Sequence, residues 1–331
     1  MRRRIVLASL LIGSPLVLLA APLVGAKWVQ LSAIVGSADA TSTMIFWDIR
    51  LPRACLAWIA GAGLAVGGMA FQGMFRNVLA EPYTLGVSGG AALGAALCVR
   101  IGLDFQFLGF SGATAGGMGG ALAAIGLVYG LTRLRPRFAT ATVLLAGVAA
   151  NFFFSSLILL VQYTADLYDT FRILRWMMGG LQMVGFDAPL RTAPVVVLVS
   201  AIIWRYGGEL NLMALGDELA ISRGVEVAKV KKVLFFSVSF MVGAVVSICG
   251  PIGFVGMIVP HICRLLVGSE HRVLMPAALL FGGAFLVICD TVSRTVFAPA
   301  ELPVGIFTAL LGGPFFVWLL LRPPKGEKAF P

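Results

Sequence analysis

Charged side chains are scarce in this chain. They make up 12% of its 331 residues, whereas apolar residues make up 59% and the mean hydropathy is +0.97. Soluble domains carry about 25% charged residues, so a soluble globular fold is excluded. The net charge of +10 does not indicate nucleic-acid binding, because the basic residues lie in short loops between apolar runs.

Side chains that could hold a metal are equally few. The chain has two histidines, and its five cysteines are scattered through apolar stretches, with none paired at metal-ligand spacing. Isolated cysteines of this kind are typical of small buried hydrophobic residues. We therefore expect no metal site and no resident cofactor in this chain.

A nucleotide-binding loop is also missing. No Gly-Lys dipeptide occurs in the sequence, which excludes the P-loop. We expect the chain not to be an enzyme, so ATP-driven transport would need another subunit to bind ATP and Mg²⁺. A transporter driven by protons or sodium would favour paired carboxylates within the membrane or unwound helices in two matching halves. Asp290 is the only acid far inside a predicted span, which argues against that alternative.

Long apolar runs are abundant, and they predict an all-α integral membrane protein. With the N-terminus inside, 17 of the 25 Lys and Arg residues fall in inside loops, so both termini are predicted to be cytoplasmic. The first run is too long for a signal-peptide core and is interpreted as an uncleaved span. Together the spans form one membrane domain over residues 1–331. The ten predicted spans are 5–24, 54–74, 85–101, 108–131, 140–162, 188–205, 233–249, 254–268, 275–292 and 303–321.

Two segments depart from plain membrane helices. The first is the polar interruption at 206–232, whose centre predicts a short helix with Asp217 and Glu218 in its first turn and Gly224 at its end. Such a cytoplasmic helix is suited to engage a soluble partner. The second is the stretch 250–264, where two prolines and three glycines break a span. In lipid such a break survives only where protein or a water-filled cavity covers it, so this segment indicates transport.

Seven collinear blocks resemble the FecCD-type permease subunits of type II ABC importers, which take up ferric siderophores, haem and vitamin B12. The resemblance covers nearly the whole chain and implies the ABC type II importer permease fold. Val78 and Gly89 are two small departures from the family pattern. The blocks are Arg50–Arg53, Gln72–Pro82, Leu85–Ala91, Leu215–Val225, Gly253–Arg264, Asp290 with Arg294, and Glu301–Gly305 followed by Gly312–Phe316.

The resemblance implies partners on both sides of a bacterial inner membrane. Arg50, Arg53 and Arg294 fall at the outer ends of spans, where they would dock acidic residues of a periplasmic substrate-binding protein; the alternative is snorkelling to lipid headgroups. The 215–225 helix would couple the permease to an ABC ATPase. Its apolar anchor would be Leu215, Leu219 and Ile221, and Asp217, Glu218, Arg223 and Gly224 would fix its register and end.

A second copy of the chain would complete a homodimeric pathway. The resemblance implies that the fifth and tenth spans line it, together with the segment around residues 176–181. The residues assigned to the pathway and its gating are Trp176, Met177, Met178, Gly253, Phe254, Pro260, Glu301 and Pro303.

The expected cargo is an iron chelate, a ferric siderophore, with haem and vitamin B12 or a related corrinoid as alternatives. A different class of function comes from Gly86–Gly90, which fits the Gly-x-Ser pattern of an intramembrane serine protease with Ser88 as nucleophile. That reaction requires a proton acceptor beside the serine. His261 is interpreted as a structural residue.

Overall fold

The computed structural model describes residues 2–25, 34, 39–103, 106–107, 110–133, 140–181 and 184–321. Two strands of two residues, β1 (Gln106–Phe107) and β2 (Phe110–Ser111), pair antiparallel. A π-helical turn at Ile45–Arg50 leads into the third helix. The helices in these ranges are α1 Arg2–Ala20, α2 Ala40–Met44, α3 Leu51–Phe75, α4 Val87–Arg100, α5 Gly112–Arg133, α6 Thr140–Thr164, α7 Leu167–Met177, α8 Asp187–Arg205, α9 Gly207–Leu215, α10 Asp217–Ser222, α11 Val227–Cys249, α12 Val255–Val267, α13 His271–Thr295 and α14 Val304–Leu321.

The ten predicted spans all coincide with apolar helices. Among the described residues, seven helices are long and apolar enough to cross a membrane, and the shorter apolar helices α4, α12 and α14 bring the number to ten. The predicted all-α membrane fold is therefore confirmed. The apolar runs locate the spans because apolar length is what a helix needs to cross the hydrocarbon core.

Helix α3 lies at the centre of the bundle and packs against α8, α11, α12 and α13. Glycines permit its closest contacts. A Cβ atom added at Gly68 would lie 1.9 Å from the carbonyl oxygen of Gly256, and one added at Gly61 would lie 2.3 Å from that of Gly282. Only glycine allows the backbones to approach this far, as small residues do at other membrane helix interfaces.

Helices α4 and α5 also pack closely at glycines. A Cβ atom added at Gly94 would lie 2.0 Å from the carbonyl oxygen of Gly116, and one added at Gly120 would lie 2.0 Å from that of Gly90. Gly86 instead precedes α4 with φ of +83°, in the left-handed region that favours glycine.

The predicted break in the eighth span is present and is covered by protein. Residues 250–254 are not helical, and α12 begins at Val255. The freed backbone groups find partners nearby: Gly180 N–H donates to Cys249 C=O at 2.8 Å, and Gly305 N–H donates to Gly179 C=O at 3.2 Å. Three irregular stretches thus meet: after α7, before α12 and before α14. They hydrogen-bond to one another, as backbone groups outside helices must do where no water is present.

The polar interruption is more ordered than the sequence indicates. The predicted loop at 206–232 contains α9 and α10, and α11 begins at Val227, six residues before the predicted start of the seventh span. The sequence does not predict this earlier start of α11, because Lys231 and the other lysines around it are typical of a polar loop. Lys231 is buried within α11, with 4% of its surface exposed.

Candidate functional site

The short helix α10 forms where the sequence predicts it. Gly216 adopts φ of +135° before its first residue, Asp217 and Glu218 occupy its first turn, and Gly224 has φ of +84° just after it. Acidic residues at a helix N-terminus favour the helix dipole, and glycine permits the left-handed turn that ends the segment.

The helix presents an apolar surface to its surroundings. Leu219 and Ile221 are exposed, as is Leu215 at the end of α9, whereas Ala220 is fully buried against the rest of the protein. Glu218 and Arg223 are exposed beside them. An exposed apolar cluster with a charged border is the composition expected of a protein-binding surface.

A buried ion pair fixes α10 against α11. Lys231 Nζ lies 2.5 Å from Asp217 Oδ2, and the Lys231 side chain is 5% exposed. Asp217 Oδ1 is also buried and has no hydrogen-bond partner among the described residues. The pair gives a physical basis for the predicted role of Asp217 in setting the register of this helix, because removing Lys231 would leave a partly buried carboxylate without its counter-charge.

A cavity of about 680 Å³ lies beside the start of α12. Four of the residues assigned to the pathway line it: Met177, Met178, Gly253 and Phe254. The cavity thus joins the end of α7 to the break before α12. No residue of α6, the fifth predicted span, lines it, so the predicted pathway stays a prediction. The remaining walls come from the start of α14 and from the segment between α3 and α4.

A second cavity of about 290 Å³ lies against the first, and Trp176 and Pro303 line it. Its basic residues are Arg53, Arg172 and Arg175. The other two predicted pathway residues lie elsewhere. Pro260 is buried within α12, and Glu301 forms an ion pair with Arg53.

The three outer arginines are buried, with exposed fractions of 6 to 8%. Arg53 donates from Nε and Nη2 to Asp290 at 2.9 to 3.1 Å, and from Nη1 to Glu301 at 2.7 Å. Arg294 Nε donates to the same Asp290 at 3.1 Å. Arg50 Nη1 donates to the carbonyl oxygen of Pro22 at 3.1 Å.

This geometry differs from both expectations for these arginines. Arginine side chains that extend to lipid headgroups, or that are available to acidic residues of another protein, would keep their guanidinium groups exposed. Here the guanidinium groups of Arg53 and Arg294 are turned inward to carboxylates of the same chain. Their role in docking a binding protein stays a prediction, and in this conformation it would require Glu301 to release Arg53.

The polar residues of the eighth span, His261 and Arg264, are partly buried and make separate contacts. Arg264 donates to Gln72 Oε1 at 2.5 Å, and Gln72 in turn donates to the carbonyl oxygen of Gly256 at 3.2 Å. The His261 ring makes an edge contact with Phe315, with ring centroids 5.7 Å apart. These contacts join α12 to α3 and α14.

The protease alternative receives no support. Ser88 is buried, and its Oγ has no hydrogen-bond partner among the described residues. A serine nucleophile needs a base hydrogen-bonded to it to accept its proton. Glu81 lines the same small cavity as Ser88, but no described side chain is hydrogen-bonded to Ser88 Oγ. Among the residues that the structure describes, no three His, Cys, Asp or Glu side chains lie close enough together to hold a metal ion.

Glu81 is a cavity residue that the sequence reasoning did not single out. It precedes the 3₁₀ turn at Pro82–Leu85, is buried, and accepts a hydrogen bond from the backbone of Phe254. It lines the larger cavity. Its signal was available, because an acid between apolar helices is costly and marks a functional position.

Ten apolar helices among the described residues, a break in the eighth and a short helix between the sixth and seventh are the features expected of the permease of a type II ABC importer. The sequence matches the model of the FecCD transport family over residues 4–322. The chain belongs to this family.

Named relatives agree with that assignment. The chain is 38% identical to the hemin transport system permease protein HmuU of Yersinia pestis, over 84% of this chain and 83% of that protein. It is 40% identical to the cobalamin import system permease protein BtuC of Halobacterium salinarum, over 85% and 74% respectively. A solved inward-facing metal-chelate type ABC transporter shares 30% identity with a TM-score of 0.81, covering 96% of this chain and all of the other.

Proposed function

We propose that this permease belongs to an ATP-driven importer that carries a ferric siderophore from the periplasm to the cytoplasm. The surface of α10 carries the coupling part of the proposal, because Leu215, Leu219 and Ile221 are exposed beside a helix fixed by the buried pair of Lys231 and Asp217. The spacious, methionine-lined cavity at the start of α12 supports a bulky cargo. Haem and a corrinoid, the cargoes named for two relatives, are the alternatives.

The assembly we propose contains two copies of this chain in a bacterial inner membrane, with both termini in the cytoplasm. Two ABC ATPase subunits bind ATP and Mg²⁺, and α10 of each permease rests against one of them. A periplasmic substrate-binding protein delivers the cargo at the outer face, near Arg50, Arg53 and Arg294. No nucleic acid takes part.

Transport in this proposal proceeds by alternating access. ATP binding closes the two ATPases, and their motion reaches the spans through α10 and the buried ion pair to α11. The irregular stretches before α12 and α14 can then rearrange around the cavity, since glycine contacts such as Gly68 with Gly256 let helices slide with little side-chain repacking.

The test is purification of the tagged chain from its native membrane in mild detergent, with ATP hydrolysis measured in the eluate. We expect a co-purifying ATPase that Glu218→Lys weakens about tenfold or more, because the substitution reverses an exposed charge on the coupling surface. Glu270→Lys is the matched control, since Glu270 is an exposed acid on the same side of the protein but outside α10. A chain that elutes intact without ATPase would contradict the proposal.

A further inference from the structure

An apolar groove of about 400 Å³ runs along the seam between α8 and α11. Ser237 is the one polar residue among the described residues that line it. Leu198 on α8 and Phe240 on α11 are exposed at its edges, so the groove opens to the surroundings of the protein. On a helix that spans a membrane those surroundings are lipid, and the groove therefore suits an acyl chain.

A polar cavity of about 520 Å³ continues the same seam. On α8, the cavity residue Arg205 follows the groove residue Ile202 by three positions. On α11, the cavity residue Lys229 precedes the groove residue Phe236 by seven positions. Spacings of three, four and seven residues keep side chains on one face of a helix. The polar cavity therefore lies at one end of the apolar groove.

Basic side chains outnumber acidic ones by four to two among the described residues that line this cavity. Each acid is paired with one of the bases: Glu209 lies 3.6 Å from Arg205, and Glu226 lies 3.5 Å from Lys229. Arg205 and Lys229 are exposed, so both pairs are weak and open to competition. Two further cations remain in the cavity.

These cations are Arg223 and Arg272, and neither forms an ion pair with a residue that the structure describes. Arg272 lies against the start of α9. A Cβ atom added at Gly207 would lie 3.2 Å from its Cγ, and one added at Gly208 would lie 3.6 Å from its Nη2. Because these neighbours have no side chains, the guanidinium stays uncovered. A guanidinium in this state can donate two hydrogen bonds to a phosphate group.

Aromatic residues place this end of the seam at the level of lipid headgroups. Trp204, at the end of α8, is 57% exposed, and Tyr206 lines the cavity. Tryptophan and tyrosine are enriched where the membrane meets water. Basic pockets between membrane helices at this level recognise anionic headgroups.

We propose that the seam between α8 and α11 binds one anionic phospholipid, with its phosphate on Arg272 and an acyl chain in the apolar groove. The two adjoining cavities supply the two different environments that an amphipathic ligand requires. A free phosphate ion shares the headgroup chemistry but would leave the groove unused. The assignment of the headgroup to the cytoplasmic side rests on the topology in the proposed function, whereas lipid binding does not depend on the cargo.

The test uses the full-length chain, with the subunits that co-purify with it, in phosphatidylcholine nanodiscs. A trace of phosphatidylglycerol or phosphatidylcholine carries the same photoreactive acyl chain, and labelled residues are mapped by mass spectrometry. We expect labels at residues 194–202 and 236–240, about tenfold more from phosphatidylglycerol, and Arg272→Gln to lower that ratio about fivefold. Equal labelling by the two lipids, or an unchanged ratio in Arg272→Gln, would overturn the inference.

Three variants separate charge from folding. Arg272→Lys keeps the charge and should keep most of the preference, which a loss of fold would not. Lys229→Gln, on the α11 wall of the cavity, is a second site where the ratio should fall. Lys232→Gln removes an exposed lysine of α11 outside the cavity lining and should leave the ratio unchanged. An equal fall in the Lys232 variant would overturn the site.

Two comparisons identify the ligand. Leu198→Trp fills the groove and should lower labelling at 236–240 by both lipids about tenfold, whereas Leu190→Trp, at another exposed position of α8, should not. Labelling that an excess of inorganic phosphate abolishes would indicate a free-anion site and overturn the lipid site. A loss of the co-purifying ATPase in Arg272→Gln, with an unchanged lipid ratio, would overturn it as well and assign the cavity to the ATPase.

Discussion

Asp290 shows how a charged residue can be accommodated inside this membrane protein. Its side chain is 2% exposed, and it accepts hydrogen bonds from both Arg53 and Arg294. Glu301 pairs with the remaining side of Arg53 but is 41% exposed. A buried charge is tolerated only when it is paired and hydrogen-bonded. The network of these four side chains connects α3, α13 and the segment before α14.

The two ion pairs of Arg53 should differ in their contribution to stability. Arg53→Met breaks both pairs and leaves the buried Asp290 with one of its two arginines, and we expect a loss of about 3 kcal/mol in the free energy of unfolding. Glu301→Gln breaks only the pair whose acid is 41% exposed, and we expect a loss below about 1 kcal/mol. Denaturation in detergent, followed by tryptophan fluorescence, measures both. Equal losses would contradict the assigned burial.

The sequence could place these arginines at the ends of spans, but it could not reveal their partners. Arg53 and Asp290 are 237 residues apart, and Arg53 and Glu301 are 248 residues apart. Because the sequence does not show these distant carboxylates, it predicts that the arginines are exposed and can dock another protein. Glu81 could be noticed in the sequence as an acid between apolar helices, but its place on a cavity wall could not, because that wall is completed by Met177 and Phe254, which lie far along the chain.

At the scale of elements, the sequence predicts α10 but not the ion pair that fixes it to α11. Gly216, the two acids after it and Gly224 are local signals for the start and end of a helix. The burial of Lys231 depends instead on where α10 folds back against α11. The break before α12 was predictable as well, since Pro251 and its neighbouring glycines interrupt any regular helix.

The ion pair between α10 and α11 should be needed for coupling. We expect Lys231→Met to weaken ATPase association about tenfold, since the side-chain volume is kept while Asp217 loses its counter-charge. This corresponds to about 1.4 kcal/mol, less than for a fully buried pair because Asp217 is partly exposed.

The double variant Lys231→Asp with Asp217→Lys exchanges the two charges and should restore part of the ATPase association that Lys231→Met loses. If either position mattered only for packing, the exchange would restore none of it. Lys232→Met is the matched control, because Lys232 is an exposed neighbour on the same helix. Association that is lost equally in the Lys232 variant would refute a specific role for the pair.

At the scale of the whole molecule, the irregular stretches and the coupling helix are parts of one arrangement. The segments before α12 and α14 meet the end of α7 around the methionine-lined cavity. Helix α11 joins α10 to the first of these segments, since α11 ends at Cys249, next to the break. A movement of α10 therefore has a continuous helical route to the cavity.

Photo-crosslinking in native membranes tests the proposed contact between α10 and an ATPase. A photoreactive residue at Ile221, which is exposed on α10, is compared with one at Leu160, which is exposed on α6. We expect the probe at Ile221 to capture an ABC ATPase and the probe at Leu160 not to capture one. No capture at Ile221, or the same products from both positions, would contradict it.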